Sequence, residues 1–197
     1  MYEPINEYEA PIEHGKAVLR IYPDEEPLNP RTEWDNLGLM VCLHSRYDLG
    51  DKHSFRDSED IQEYMKENKI KSVLPLYLYD HSGITISTGS FSCPWDSGQI
   101  GFIWIEDEKI KSEYGVKRIS KKLRLKMIEY LENEVKTYDD WLTGNVYGFT
   151  YHEEIIINPN GDTKEINEES CYGFYGDNIM PYILEHLPNR PEFKAWL

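Results

Sequence analysis

Residues 73–88 read Val73-Leu74-Pro75-Leu76-Tyr77-Leu78-Tyr79, then Asp80-His81-Ser82-Gly83, then Ile84-Thr85-Ile86-Ser87-Thr88. The first run is dense in β-branched and aromatic residues, the middle four are turn formers, and the last run returns as a second strand. The sequence here predicts a β-hairpin. The same pattern recurs to either side. Gln99–Ile105 reads as another strand, and Val146–Ile157 and Ser170–Tyr175 read as two more, joined across the turn sequence Asn158-Pro159-Asn160-Gly161-Asp162. Upstream, His14–Tyr22 reads as a strand ended by Pro23, and Leu37–His44 as a short buried strand.

Helical patterns are fewer. Ile119, Leu123, Met127, Leu131 and Val135 recur every four residues and predict a helix over 116–138. Asp57 or Ser58 is placed to cap a second helix over about 58–69, with Glu59 and Asp60 in the first turn, where the helix dipole favours acids. A third covers roughly 178–187 and is expected to stop at Pro188 and Pro191. Strands that cluster in hairpins, instead of alternating with helices, predict an α+β fold: a mostly antiparallel sheet with about three helices packed on one face. Residues 1–13, acidic and interrupted by Pro4 and Pro11, are expected to form a flexible N-terminal arm. Residues 14–197 are then expected to form a single α+β domain, a size that fits 197 residues.

There are 36 acidic and 21 basic residues, a net charge of −15. Non-specific binding to a phosphate backbone needs clustered Lys and Arg, so direct nucleic-acid binding is not expected. A basic protein surface is the natural partner for such a chain. Gathered on one side, the acids at Glu3, Glu7, Glu9, Glu13, Asp24, Glu25, Glu26, Glu153, Glu154, Glu165, Glu168 and Glu169 would imitate duplex DNA, which carries one charge per ~1.7 Å of axis. Six basic residues run against the trend at Lys117, Arg118, Lys121, Lys122, Arg124 and Lys126. They read as a solvated face pairing with acidic loops, or as a patch for an anionic ligand. No apolar run approaches the ~20 residues of a membrane span, so no membrane partner is expected. Three cysteines, odd in number and widely separated, do not form a disulfide framework and point to a cytoplasmic setting. No glycine-rich phosphate motif is present, and no cofactor is expected. The twin segments Tyr147-Gly148-Phe149 and Tyr172-Gly173-Phe174 read as bulge or twist positions beside crowded neighbours. Homo-oligomerisation stays open.

Residues with chemical potential gather at the predicted strand ends. Cys93 as nucleophile, His81 as base and Asp80 or Asp96 orienting the imidazole would make a cysteine hydrolase or transferase, since only the thiolate is a good nucleophile. Cys42 and His44, two apart on one strand and so on one face, are the candidate metal ligands together with nearby carboxylates. Neither set carries a full catalytic or metal signature, so the sequence favours binding over catalysis. Tyr and Trp are enriched at binding surfaces, and the candidate binding residues are Trp34, Tyr79, Trp95, Tyr172, Tyr175 and Asp177.

The strings Trp34-Asp35-Asn36-Leu37-Gly38, Leu74-Pro75-Leu76-Tyr77-Leu78-Tyr79-Asp80-His81-Ser82-Gly83-Ile84-Thr85, Ser92-Cys93-Pro94-Trp95-Asp96-Ser97-Gly98-Gln99 and Cys171-Tyr172-Gly173-Phe174-Tyr175-Gly176-Asp177 carry a resemblance that also runs through 138–149. Over roughly residues 34–177 the chain resembles a family of acidic, functionally uncharacterised proteins carried by bacteriophages, plasmids and integrative elements. No catalytic residues come with that family. The resemblance implies a small accessory protein acting inside a bacterium by binding, as an acidic inhibitor of a host defence system such as restriction, with a basic surface on a host protein as its target. The alternative reading is a small-molecule or nucleotide-binding protein, or a cysteine/histidine-dependent enzyme, with a pocket around His81 and Cys93.

Overall fold

A computed structural model describes residues 3–187 and 192–193. Among these residues it has five helices and two antiparallel sheets of four strands each, an α+β fold with more strand than helix. The chain divides into two compact units, one from the two ends (1–28 and 144–197) and one from the middle (29–143).

In the first unit the strands are β1 (Asn6–Ile12), β2 (Gly15–Pro23), β7 (Val146–Ile156) and β8 (Thr163–Tyr175), in that spatial order. The stretch expected to be a flexible arm supplies β1, whose seven residues all pair with β2; Met1 and Tyr2 lie outside the described residues. Its prolines do not prevent this, because β1 is an edge strand and Pro11 sits where a missing N–H is tolerated. Ala17, Leu19 and Ile21 of β2 alternate inward with Phe149 and Tyr151 of β7. Ile179 and Ile183, from the helix at Met180–His186 (α5) and the residue before it, cover that face. Pro188 and Pro191, expected to end α5, lie outside the described residues. β8 reaches seven residues further upstream than the predicted strand, through a charged, exposed stretch with little β-propensity of its own.

The second unit holds β3 (Leu39–Cys42), β6 (Ser97–Ile105), β4 (Ser72–Asp80) and β5 (Ile84–Ser87), again in spatial order, with β4 and β5 forming the hairpin read from the sequence. Helices cover both faces of this sheet, not one. On one side Met127, Leu131, Val135 and Tyr138 of α4 (Lys121–Thr143) pack with Met40, Leu76, Ile86 and Ile103. On the other, Ile61 of α2 (Ser58–Glu67) meets Val41 and Trp104, with Phe55 and Tyr64 edge-on to the rings beside them. The run Ile103-Trp104-Ile105, apolar without alternation, is what burial on both faces requires. Asp57 caps α2 as expected, accepting from Asp60 N at 2.9 Å. A short helix, α1 (Pro30–Glu33), lies between β2 and β3, capped by Asn29.

The predicted helix over 116–138 begins and ends about five residues later. Another helix, α3 (Asp107–Tyr114), fills the gap after β6 and ends at Gly115 in the left-handed conformation (φ 61°), and Ser120 then caps α4 by accepting from Leu123 N. Lys117 and Arg118 therefore lie before the helix. Arg124 pairs with Asp107 at 3.0 Å, and the Lys126 ammonium sits 5.2 Å from the Tyr114 ring centre. Among the described residues Lys117, Arg118, Lys121 and Lys122 are exposed and form no ion pair.

Candidate functional site

The residues proposed for catalysis do converge, at the tip of the β4–β5 hairpin. His81 Nδ1 lies 3.3 Å from Asp96 Oδ2, and the Cys93 thiol donates to the same oxygen at 3.7 Å. The carboxylate therefore stands between thiol and imidazole. A general base has to touch the proton it removes, and among the described residues no hydrogen bond joins Cys93 to His81. Asp80 faces away from this group, paired with Arg46 and accepting from the Tyr47 hydroxyl at 3.4 Å. The His81 side chain is largely exposed.

Cys42 and His44 line one cavity, of about 630 Å³, together with His53 and Asp51. Among the described residues they do not fall within a cluster of three metal-ligating side chains. Burial, with the Asp51 charge adding to it, pushes the Cys42 thiol up to about 12. His44 Nδ1 already accepts from the backbone N–H groups of Arg46 and Tyr47, each at 3.3 Å, while its ring stacks on Tyr47. Behind Asp51 lies a buried charged network. The Arg31 guanidinium donates to Asp51, to Glu134 and to the Gly38 carbonyl, while the carboxylates also accept from the N–H groups of Leu37, Gly38 and Met40. This network fastens α1 and the chain before β3 to α4.

The six aromatic and acidic candidates divide between the units. In the second, Trp34 edges a cavity of about 390 Å³ over Arg31, Tyr79 stacks on His81 and packs against Phe91, and Trp95 is 91% exposed. In the first, Tyr175 and Asp177 serve the backbone and a neighbouring side chain. The Tyr175 hydroxyl donates to the Leu28 carbonyl, its phenol held protonated by burial and by the Asp24 charge, and Asp177 accepts from Asn145 at 2.9 Å. Tyr172 is different, because it walls a groove of about 720 Å³.

That groove is built on one rung of the first sheet. Gly148 is the partner of Tyr22 on one side and of Tyr172 on the other. Gly173 is the extra residue of a bulge in β8, at φ 88°, which only glycine adopts without strain. The Tyr172 ring then lies against Gly148, where a Cβ would come within 2.0 Å of it. Each Tyr-Gly-Phe segment thus owes its glycine to crowding or a bulge, as the sequence predicts. Tyr22, Pro23 and Tyr172 give the groove aromatic and apolar walls, and Glu3, Asp24, Glu25 and Glu26 give it an acidic rim. Arg20, also in the lining, is neutralised by Glu7, with Nε 2.5 Å from its carboxylate. Among the described residues the four rim acids have no cation paired with them.

The groove sits in the more acidic unit. Residues 1–28 and 144–197 hold 16 Asp and Glu against 5 Lys and Arg, a net −11, which leaves −4 for residues 29–143. Aromatic walls beneath unpaired carboxylates suit a guanidinium or ammonium group, which gains charge-assisted hydrogen bonds at the rim and a cation–π contact at the ring face. Tyr22 and Pro23 were visible only as the end of a strand, and the run Asp24-Glu25-Glu26 beside them was the available signal. Comparison with known proteins returned no matching family model, no matching curated protein and no matching solved structure.

Proposed function

We propose that this chain acts by binding, docking the acidic groove of its first unit onto an Arg- and Lys-bearing surface of another protein. The observation that carries this reading is the charge asymmetry: the smaller share of the chain holds −11 of the −15, and an aromatic-walled groove with unpaired rim acids lies within it. Concentrated charge of one sign steers association with an oppositely charged partner, and a few aromatic anchors then hold the complex. A thiol and an imidazole that both meet a carboxylate, and not each other, favour binding over nucleophilic catalysis.

The resemblance to proteins of mobile elements supplies the setting, a host defence protein as the target. The test is phage plating on bacterial strains that each carry one restriction or other defence system, with the chain expressed or absent. The expected result is relief of defence in one strain by the wild-type chain, lost in a D24N/E25Q/E26Q variant. A panel in which the wild-type chain and the variant behave alike in every strain refutes the proposal. The complex should also weaken as salt rises past the ionic strength at which the Debye length falls to ~10 Å.

A further inference from the structure

A second feature of the first sheet lies about 13 Å along β7 from the groove rung, taking four residues at ~3.3 Å each. His152 and Glu154 are two apart on β7 and share its outer face, opposite the side that packs Phe149 and Tyr151. Glu165 is the cross-strand partner of Glu154 on β8. A bulge puts Glu165 on that face. Between the pairs Tyr151–Glu169 and Glu153–Ile166, β7 has one residue, His152, and β8 has two, Asn167 and Glu168. The extra residue reverses the alternation of β8, so that Glu165 faces His152 instead of the opposite side. Asn167, at φ 52°, is held there by its amide, which donates to Glu153 Oε2 at 2.9 Å. The other Glu153 oxygen accepts from the Tyr151 hydroxyl at 2.8 Å, and burial followed by this carboxylate raises the Tyr151 phenol above its ordinary value.

The distances inside the trio are informative. His152 is only 6% exposed, yet its Nε2 lies 3.5 Å from Glu154 Oε1 and 3.7 Å from Glu165 Oε1. A good N–H···O hydrogen bond spans about 2.7–3.2 Å. The observed separations also approach those between ligands of one ion, since metal–ligand bonds of about 2.0–2.2 Å give a tetrahedral edge of ~3.4 Å. The three donor atoms all lie within 4.8 Å of one another. Lys16, the nearest cation, makes its closer contact with Glu9 and reaches only the other Glu154 oxygen, at 3.5 Å, leaving Oε1 to the trio.

We propose that His152, Glu154 and Glu165 form a site for a divalent transition-metal ion, zinc fitting best, with the fourth coordination position open to water or to an incoming ligand. One imidazole and two carboxylates match the charge of the dication, and the imidazole disfavours magnesium and calcium, which prefer all-oxygen shells. The ion would tie β7 to β8 across the bulge. The site uses none of the groove residues, so it stands or falls separately from the docking reading.

Isothermal titration of the full chain with zinc chloride, with magnesium and calcium chloride as comparisons, tests this. The expected result is one zinc per chain, no saturable heat from the other two ions, and affinity reduced at least about tenfold in E165Q and in H152N, a loss on the scale that metal-site substitutions produce. Glu165 is largely exposed, so E165Q keeps the fold and separates loss of a ligand from loss of structure. Zinc should also raise the melting temperature of the wild-type chain by more than that of E165Q at the same zinc concentration. Zinc binding of equal affinity in E165Q and the wild type would show that Glu165 is not a ligand and overturn the proposal. Absence of saturable zinc binding would overturn it as well, and would leave the trio as an ion-pair cluster.

Discussion

Replacing Gly148 by Ala tests the groove through its most crowded contact. The added Cβ would lie 2.0 Å from Tyr172 Cδ1, 2.4 Å from Cγ and 2.5 Å from Cε1. Carbon atoms pack best at about 3.5–4.0 Å, so the ring has to retreat by roughly 1.5–2 Å. Tyr172 is 51% exposed, which leaves about half of a ~200 Å² side chain packed. At ~25 cal/mol per Å² the ceiling for losing that contact is about 2.5 kcal/mol, and a partial retreat costs about 1–2 kcal/mol. Gly148 is not at a positive φ, so alanine meets no backbone strain of its own there. In a Tyr172→Ala background the same substitution should therefore be neutral, or stabilise by up to about 1 kcal/mol, because glycine within a strand carries an entropic cost. Urea denaturation of the two single variants, the double variant and the wild type yields a coupling of about 1–2 kcal/mol between the positions. An equal cost for G148A with and without the Tyr172 ring would refute this account of the groove wall.

Two further outcomes follow from the second unit. Arg31→Ala strands the Asp51 and Glu134 carboxylates beside one another and leaves the Gly38 carbonyl without its donor; breaking a buried ion pair in this way should cost about 3–5 kcal/mol, seen as a large fall in the urea midpoint, and a loss under ~1 kcal/mol would count against the network. Cys42, with its thiol pushed up to about 12, should resist a thiol-specific reagent at pH 8 while Cys93 and Cys171 react. Because the folded state keeps that thiol protonated, its contribution to stability is whole below the unfolded value near 9 and is lost as pH rises toward 12. The alkaline fall in stability should therefore be shallower in Cys42→Ala.

The hairpin at 73–88 and the α4 stripe were legible because each is a local pattern: a turn flanked by two runs, and an apolar residue on every turn. α3 was not, because Asp107–Tyr114 carries one buried apolar residue, Ile110, and two turns offer no period to read. β1 was hidden by prolines whose meaning depends on the strand being at an edge. Of the candidate residues, His81, Cys93 and Asp96 could be grouped from the sequence because one short hairpin and its neighbouring loop hold them. The groove could not be read in this way. Tyr22 and Tyr172 stand about 150 positions apart in the chain and meet only because β7 pairs with both of their strands through Gly148. The His152 trio was equally obscure, since the bulge that turns Glu165 toward the imidazole is a property of pairing and not of either strand alone.

The thirteen-residue border formed by β8 offers a row of backbone groups long enough to template a stray chain, yet its outer positions are poorly suited to one. Lys164, Glu165, Glu168 and Glu169 stud it with fixed charge, and the kink at Asn167 breaks its line. A second copy laid alongside in register would stack carboxylate on carboxylate. Ribbon growth and strand donation are thereby discouraged at this margin, and whatever this molecule recognises there has to be met by side chains, not by extension of the sheet.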